Sequence, residues 1–249
     1  MWTAKQTEAH RKVAIILTKI MKDTFQYIET NRRSVTEFEV SEFILGQHRL
    51  NGIISCRTLP CPIVAFGNNT SILHYFPEKK TARKLKRNMP ILIDMWGKLG
   101  SGKMPFADIT WFGYYGTSIP KKTQQAFNLV VASRDASIRF VRKALETGHL
   151  PTGRKVDAVF QEILHKSKLG MCFYHQLGHP LGTYSPHGFG SWLTESNYYP
   201  LLAGCAYTIE PGVYFTNRFG IRSEMDLLIT PQLNLEITTP LQRKIIHIR

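Results

Sequence analysis

The chain has 249 residues, of which 43% are hydrophobic and 20% are charged, and this composition excludes wholesale disorder and collagen-like sequence. Its length suffices for one large domain or two small ones with a sizeable core. Lysine and arginine (32) outnumber aspartate and glutamate (18), and the formal charge of +14 predicts a protein that attracts anionic partners.

The N-terminal residues argue against export or membrane insertion. The early apolar run from Val13 to Leu17 is far shorter than the roughly 20 residues of a membrane-spanning helix. Charged residues precede this run, unlike the pattern of a secretory signal. The cysteines form no Cys-x-x-Cys pair and no disulfide framework: Cys56, Cys61, Cys172 and Cys205. We therefore expect a reduced, cytoplasmic protein with no membrane partner.

The first half begins with helical patterns. Apolar residues recur at helical spacing from Glu8 to about Glu29, which predicts an amphipathic helix. Ser34 and Glu37 have capping-box spacing, so a second helix is predicted from there to about Leu45, ended by Gly46. Short apolar stretches punctuated by Gly, Pro and Asn then predict antiparallel strands at 62–67, 71–76, 90–97 and 107–116.

The second half repeats this order. A long helix is predicted from Thr123 to about Glu146, and another from Gly153 to about Lys168, closed by Gly170. Strand-like stretches follow at 171–178, 205–215 and 220–230.

Two helices followed by strands, twice over, predict an α+β fold of two similar halves, roughly 1–118 and 119–249. No linker-like stretch separates the halves, so residues 1–249 are interpreted as one domain.

A strongly basic segment lies in the first half. Six cations fall within the nine positions from Lys79 to Arg87, with no aromatic residue among them. No basic-helix or zinc-finger pattern surrounds the segment, which disfavours nucleic acid as a partner. A solvated connection is the favoured interpretation, and a docking surface for an anionic partner is the alternative.

Four carboxylates adjoin apolar, strand-like stretches: Asp94, Asp108, Glu210 and Glu224. Burying a carboxylate is costly unless it is paired or bound to a metal. Each has an ordinary explanation when taken alone. Asp94 or Asp108 could cap a turn, Glu210 could lead the turn at Pro-Gly, and Glu224 could pair with Arg222.

His179 belongs to the stretch His175-Gln-Leu-Gly-His179. Alone it is typical of a hydrogen-bonded core histidine. Gly178 and Gly182, and the missing glutamate beside His175, argue against a zinc-protease helix. Together with the four carboxylates, however, His179 completes an oxygen-rich donor set suited to two divalent ions of the Mn²⁺, Co²⁺ or Zn²⁺ kind. Two such ions can polarise a carbonyl and activate water together.

These segments resemble the metallopeptidase family of Xaa-Pro aminopeptidase, Xaa-Pro dipeptidase (prolidase) and methionine aminopeptidase. The resemblance runs nearly end to end and is carried by residues 63–67, 72–75, 93–94, 107–110, 175–182, 208–214 and 220–224. The stretches Glu210-Pro-Gly-Val-Tyr214 and Ile221-Arg-Ser-Glu224 are most like the proline-directed branch. The resemblance implies the pita-bread fold, a pseudo-twofold α+β domain with antiparallel strands lining the metal site and helices outside. It also implies a catalytic domain only, without the family's N-terminal domain.

The resemblance further implies an exopeptidase that cleaves between an N-terminal residue and a following proline, as an aminopeptidase or a dipeptidase. Two metal ions per chain, Mn²⁺ before Co²⁺ or Zn²⁺, would be bound by Asp94, Asp108, His179, Glu210 and Glu224. Asp108 and Glu224 would bridge the ions, and Glu210 would also take the proton of the attacking water. His74, His175 and His187 would orient the substrate and stabilise the oxyanion or the leaving nitrogen, with Arg222 beside them.

The sequence departs from the family pattern around the substrate pocket. Asp94 and Asp108 are three positions further apart than usual, which lengthens the connection 97–106. His187 lies one position further from His179 than usual. Three other residues differ in type: Gly188 where a glutamate is common, Trp111 where an arginine is usual, and Met225 where an acidic residue is frequent. None of these departures removes a ligand.

Two other functions stay open at this point. One is an enzyme of the same fold that acts on a non-peptide C–N bond or as a lyase. The other is an inactive binding module whose basic surface serves an anionic partner. A small panel of Xaa-Pro peptides with added Mn²⁺ distinguishes them.

Overall fold

A computed structural model describes residues 1–56, 59–100, 102–167 and 175–249. In the first half the helices are α1 (Ala4–Asn31) and α2 (Glu37–Leu50). Strands β1 (Ile53–Ile54) and β2 (Ile63–Phe66) lead into a 3₁₀ turn, Gly67–Ser71. Two long strands, β3 (Met89–Leu99) and β4 (Ala107–Tyr115), complete this half.

The predicted first helix is confirmed, and it begins four residues earlier than expected, at Ala4. Thr3 caps it, because its hydroxyl accepts from the backbone of Gln6 while the Gln6 side chain accepts from the backbone of Thr3. Its buried stripe includes Val13, Leu17 and Ile20. These side chains pack against the sheet, which anchors the helix.

The predicted boundaries of α2 are wrong. The capping box is formed by Thr36 and Glu39, not by Ser34 and Glu37. The helix also continues through Gly46 to Leu50. A glycine inside a helix costs only about 1 kcal/mol relative to alanine, and burial along this helix continues as far as His48.

The strand predicted at 71–76 is also wrong, since Ser71 ends the 3₁₀ turn and the residues after it form a loop. The buried carboxylate of Glu37 helps to fix the position of this loop. It accepts hydrogen bonds from the backbone N–H of Phe66 (2.6 Å), the hydroxyl of Tyr75 (2.7 Å) and the backbone N–H of Arg83 (2.6 Å). The buried Glu37 carboxylate therefore ties this loop, through the side chain of Tyr75, to the end of β2 and to Arg83.

β3 and β4 form the centre of the larger sheet. They pair antiparallel from Met89–Tyr115 to Gly97–Ala107, and β3 also pairs with β1 and β2. Ile91, Ile93 and Met95 of β3 face the cluster that contains α1 and α2. Because side chains alternate along a strand, Asp94 and Trp96 face the other side, toward the second half of the chain.

The second half contains helices α3 (Lys121–Glu146) and α4 (Gly153–His165). Its strands are β5 (Cys205–Ile209), β6 (Gly212–Phe215), β7 (Phe219–Arg222), β8 (Met225–Ile229), β9 (Leu235–Ile237) and β10 (Ile246–Ile248). β5, β8 and β9 form one antiparallel sheet, and β6 and β7 form a hairpin. β10 pairs parallel to β4, an exception to the predicted antiparallel pattern.

The predicted helix after Gly153 is confirmed up to His165, and its predicted end at 168–170 lies outside the described residues. Of the strand predicted at 171–178, positions 171–174 also lie outside them. The remainder forms no strand, although Gly178 makes an isolated bridge with Leu193. Within the described ranges, none of the helices combines the length and apolarity needed to cross a membrane.

Candidate metal centre

A cavity of about 220 Å³ lies between the inner face of β3 and β4 and the strands of the second half. Every site residue predicted from the sequence lines it: His74, Asp94, Asp108, His175, His179, His187, Glu210, Arg222 and Glu224. The fold therefore brings together side chains that are spread over 151 positions of the chain.

Asp108, His179 and Glu224 form the tightest group, with one ligand atom from each lying within 4.8 Å of the others. Glu224 is fixed by Thr110, whose hydroxyl donates to Oε2 at 2.6 Å and whose carbonyl accepts the Glu224 N–H at 3.1 Å. Thr110 and Asp108 alternate with Ile109 on β4, so both face the cavity.

His179 is held as a neutral imidazole. Its Nδ1 lies 3.1 Å from the carbonyl of Pro180, and a carbonyl only accepts, so Nδ1 carries the proton. Burial, supported by the neighbouring His187, lowers the pKa of His179 to about 3. Its Nε2 therefore presents a lone pair toward the carboxylates, which is the state that a metal ligand requires.

Arg222 pairs with Asp94 and not with Glu224, so that interpretation of Glu224 is wrong. The Arg222 guanidinium donates from Nη2 to Oδ2 of Asp94. Its Nη1 donates to the hydroxyl of Tyr214 at 3.0 Å. Both members of the ion pair are buried. Arg222 thus places one positive charge among the carboxylates of the cavity.

The carboxylates repel one another. Burial and the nearby Glu224 and Asp94 raise the pKa of Asp108 well above its ordinary value. Burial and the nearby Glu210 and Asp94 likewise raise the pKa of Glu224. A cation among these groups would oppose both shifts, because its positive charge favours the ionised carboxylates.

Two carboxylate oxygens of the cavity are buried without a hydrogen-bond partner in the described part of the chain, Oδ1 of Asp94 and Oδ1 of Asp108. An unpartnered buried carboxylate oxygen is costly, and a divalent ion satisfies it. With the Nε2 of His179, the donor set is the oxygen-rich, one-nitrogen kind suited to Mn²⁺, Co²⁺ or Zn²⁺. The residues present therefore fit a divalent metal site, as expected from the sequence.

Glu210 follows β5, where the chain turns into β6. Its Oε1 lies 3.4 Å from Nε2 of His179 and accepts a hydrogen bond from Thr208 Oγ1 at 3.2 Å. Burial raises the pKa of Glu210 to about 8, against the opposing effect of the Arg222 charge. The group lies within reach of the donor set formed by Asp108, His179 and Glu224.

The three other histidines differ in their surroundings. His175 uses both ring nitrogens, since Nδ1 donates to the carbonyl of Gln176 (2.8 Å) and Nε2 accepts from the hydroxyl of Tyr214 (2.9 Å). His187 stands edge-on to His179, with ring centroids 4.5 Å apart. His74 also lines the cavity and is exposed to solvent. These positions suit His187 and His74 better than His175 for direct contact with a substrate.

Asp226 is a buried carboxylate that the sequence analysis missed. Its Oδ2 accepts the backbone N–H of Asp108 at 3.0 Å, and it therefore braces the strand that carries this residue. Asp226 lies two positions after Glu224, and this proximity was the available signal. The phenol of Tyr214, which links His175 to Arg222, was also missed as a site residue, although it ends one of the recognised motifs.

The comparison with protein families matches residues 8–231 to metallopeptidase family M24. Among curated proteins, the chain is 29% identical over 202 residues to an uncharacterized peptidase of Staphylococcus epidermidis, covering 80% of this chain and 52% of that protein. It is also 29% identical over 182 residues to a probable Xaa-Pro aminopeptidase P of Laccaria bicolor, covering 70% of this chain and 25% of that protein.

Two solved structures show the same fold. An X-Pro aminopeptidase from Thermotoga maritima has a TM-score of 0.82 at 26% identity, and the match covers 99% of this chain and 64% of that one. A recombinant prolidase from Thermococcus sibiricus has a TM-score of 0.82 at 24% identity, covering 99% and 62%. The predicted pita-bread fold is therefore confirmed. The chain spans about half the length of the first curated relative, at 52%.

Proposed function

We propose that this chain, which belongs to metallopeptidase family M24, is a dinuclear-metal exopeptidase that cleaves the bond between an N-terminal residue and a following proline. The observation that carries the proposal is the convergence of five donor side chains on one cavity: Asp94, Asp108, His179, Glu210 and Glu224. Residues 1–249 would act as one catalytic domain. The four cysteines, whose spacing predicts no disulfide framework, support a cytoplasmic location.

The five donors would hold two divalent ions, with Mn²⁺ the first candidate. When bound, such a pair supplies Lewis acidity and lowers the pKa of a bound water. Asp108 and Glu224 are the candidate bridging ligands, since their ligand atoms and that of His179 form the tightest group. Asp94 and Glu210 would complete the set from either side.

Glu210 is the proposed general base, because its carboxylate lies against the donor group, with Oε1 3.4 Å from Nε2 of His179. His187 is the proposed hydrogen-bond donor to the carbonyl oxygen as negative charge develops there. His74, an exposed residue of the cavity lining, would contact the leaving part of the peptide. His175 would act through Tyr214, to which its Nε2 is bonded.

Specificity for proline is supported by two sets of observations. The chain carries the motifs Glu210-Pro-Gly-Val-Tyr214 and Ile221-Arg-Ser-Glu224 of the proline-directed branch. Of the similar proteins, the Thermotoga maritima structure is an X-Pro aminopeptidase and the Laccaria bicolor relative a probable one.

The test compares two tripeptides that differ only at the second residue, Ala-Pro-Ala and Ala-Ala-Ala. Purified protein is stripped with a chelator, reconstituted with Mn²⁺, Co²⁺ or Zn²⁺, and assayed for release of the first residue. We expect metal-dependent cleavage of the proline peptide and little cleavage of the other. Hydrolysis that persists in metal-free protein, or equal rates on both peptides, would contradict the proposal.

A matched pair of variants distinguishes an effect on the metal site from a general effect on folding. Asp108→Asn removes a donor of the tightest group, whereas Asp157→Asn changes an equally buried aspartate on α4 that is not among the described residues lining the cavity. We expect loss of bound metal and of activity only in Asp108→Asn. Full metal binding without activity on any Xaa-Pro peptide would favour a different reaction on this scaffold.

A further inference from the structure

Trp96 is a bulky residue that lines the candidate site. It lies on β3 two residues after Asp94, and its register partner on β4 is Asp108. Residues two apart on a strand face the same side, and directly opposed residues on neighbouring strands are in contact. The indole therefore shares its face of the sheet with two of the predicted ligands, and it lines the same cavity.

The indole ring is firmly supported. It belongs to an apolar cluster that includes Ile63, Leu92 and Phe106. Its backbone carbonyl accepts a hydrogen bond from the thiol of Cys61 at 3.3 Å. Its own Nε1–H has no hydrogen-bond partner among the described residues, so packing alone fixes the ring. A ring packed in this way does not yield readily to a bulky ligand.

The residues that line the cavity differ in exposure, since Trp96 is only 3% exposed whereas His74 is exposed to solvent. An exopeptidase binds the terminus of its substrate inside the site, while the rest of the chain points outward. The N-terminal residue of the peptide would therefore lie among the buried lining residues, where Trp96 is the bulkiest. The volume of about 220 Å³ is below the range typical of ligand pockets.

We propose that Trp96 determines specificity by limiting the first residue of the substrate to a small side chain such as that of glycine, alanine or serine. The proposal rests on the proposed function and goes beyond it, because it names the substrate class within Xaa-Pro peptides. A leucine or phenylalanine side chain at this position would collide with the indole.

The experiment measures kcat/KM for Ala-Pro-Ala and Leu-Pro-Ala with the Mn²⁺-loaded protein. The wild type should prefer the alanine peptide by at least about tenfold, as a size-selective apolar pocket does. Trp96→Leu should reduce this ratio at least tenfold by admitting the leucine side chain. Trp96→Phe keeps a ring and should fall between the two. This milder variant keeps the test valid if Trp96→Leu does not fold.

Trp111 supplies the matched control. It is a tryptophan of the neighbouring strand β4, and its Nε1 is also buried without a partner in the described ranges. It packs on the opposite face of the sheet, against the cluster that contains α1 and α2. Trp111→Leu should therefore leave the ratio of the two peptides within about twofold of the wild type, a change below ordinary pocket discrimination.

Equal kcat/KM values of the wild type for both peptides would overturn the proposal while leaving the proposed function intact. So would an unchanged ratio in folded, metal-loaded Trp96→Leu. If the wild type cleaves neither peptide, the proposed function fails, and Trp96 is then judged by calorimetric binding of the same uncleaved peptides. Tighter binding of the alanine peptide that is lost in Trp96→Leu would support the size limit, and equal binding would refute it.

Discussion

The guanidinium of Arg222 donates to one oxygen of Asp94, while the other oxygen of that carboxylate has no hydrogen-bond partner in the described part of the chain. Both side chains are buried, and Glu210 and Glu224 both lie close enough to act on the Arg222 charge. One oxygen of Asp94 therefore pairs with the Arg222 guanidinium, and the other is available to the proposed metal ion. Arg222 offsets part of the carboxylate repulsion before any metal binds.

Removing this cation should destabilise the metal-free protein more than the metal-loaded one. Arg222→Met leaves Asp94 uncompensated, and breaking a buried pair in this way costs about 3–5 kcal/mol. Bound Mn²⁺ should restore part of the loss. Urea unfolding in chelator and in Mn²⁺ measures both values. Arg11→Met is the control, since the Arg11–Glu236 pair lies at the surface, and such pairs contribute at most about 1 kcal/mol. An equal loss with and without metal would contradict this account.

Asp226 should tune metal affinity without contacting the metal. Its carboxylate accepts the N–H of Asp108, and Asp226→Asn keeps an oxygen there while removing a negative charge. Loss of such an outer partner typically weakens metal binding by about 10–100-fold. Calorimetric titration with Mn²⁺ gives the affinity, and circular dichroism checks the fold. Asp157→Asn, equally buried on α4, should bind Mn²⁺ normally. Unchanged affinity in Asp226→Asn would exclude the bracing role.

The five proposed donors could be selected from the sequence because their segments resemble the motifs of a known family, whereas the local pattern of each residue alone left ordinary explanations open. The partner of Arg222 could not be predicted, because Asp94 lies 128 positions away and only the fold decides between two nearby carboxylates. Trp96 was also missed as a site residue, since its position opposite Asp108 depends on strand register, which the sequence did not define.

The misplaced start of α2 has a similar origin. Ser34 and Thr36 both have an acidic residue three positions later, so either pair satisfies the capping pattern. The structure uses Thr36 because Glu37 is needed elsewhere, as the buried acceptor for Phe66, Tyr75 and Arg83. The tertiary hydrogen bonds of Glu37 thus determine where α2 begins.

Acid should destabilise the protein partly through His48. Burial lowers its pKa to about 4, and its Nε2 has no hydrogen-bond partner in the described ranges. The folded state holds this imidazole neutral, whereas the unfolded chain protonates it below about pH 6.5. Stability present above that pH is therefore lost as pH falls toward 4, by up to roughly 3 kcal/mol.

His48→Leu should flatten this part of the stability profile between pH 7.5 and about 4. Some slope should remain, because burial also lowers the pKa of His10 to about 4. Thermal unfolding in chelator across this range measures the effect. His149→Leu, at an exposed position, should leave the profile unchanged. A profile in His48→Leu that is as steep as the wild type would show that His48 is not responsible.

The basic segment from Lys79 to Arg87 should affect the approach of charged partners without taking part in the reaction. Arg83 has a structural role, since its backbone N–H donates to Glu37 and its guanidinium donates to Asn69. The other cations of the segment are exposed. Replacing Lys79, Lys80, Lys86 and Arg87 with glutamine should reduce the salt dependence of kcat/KM for acidic peptides. Turnover at high salt should stay near the wild type. A hundredfold fall in turnover there would place the segment in the chemistry.

Variants of Glu210 and His187 should distinguish a loss of catalysis from a loss of metal binding. Glu210→Gln keeps the size and one oxygen of the side chain but removes the base, so turnover should fall by about 10²–10⁴-fold while some metal is retained. His187→Ala leaves all five donors in place, and metal content should stay normal by elemental analysis.

The cost of His187→Ala should appear in kcat and kcat/KM together, because the imidazole is proposed to act on the developing oxyanion. A fall of about 10²–10³-fold is expected for the loss of one such donor. His187 contacts the ring of His179 and lines the cavity. The one additional residue between His179 and His187, compared with the family pattern, has therefore not moved His187 out of the site. His149→Ala, far from the lining residues in sequence and exposed, is the control. If His187→Ala cleaves Xaa-Pro peptides at the wild-type rate, the oxyanion donor is another group, and His74, an exposed residue of the cavity lining, becomes the residue to replace next.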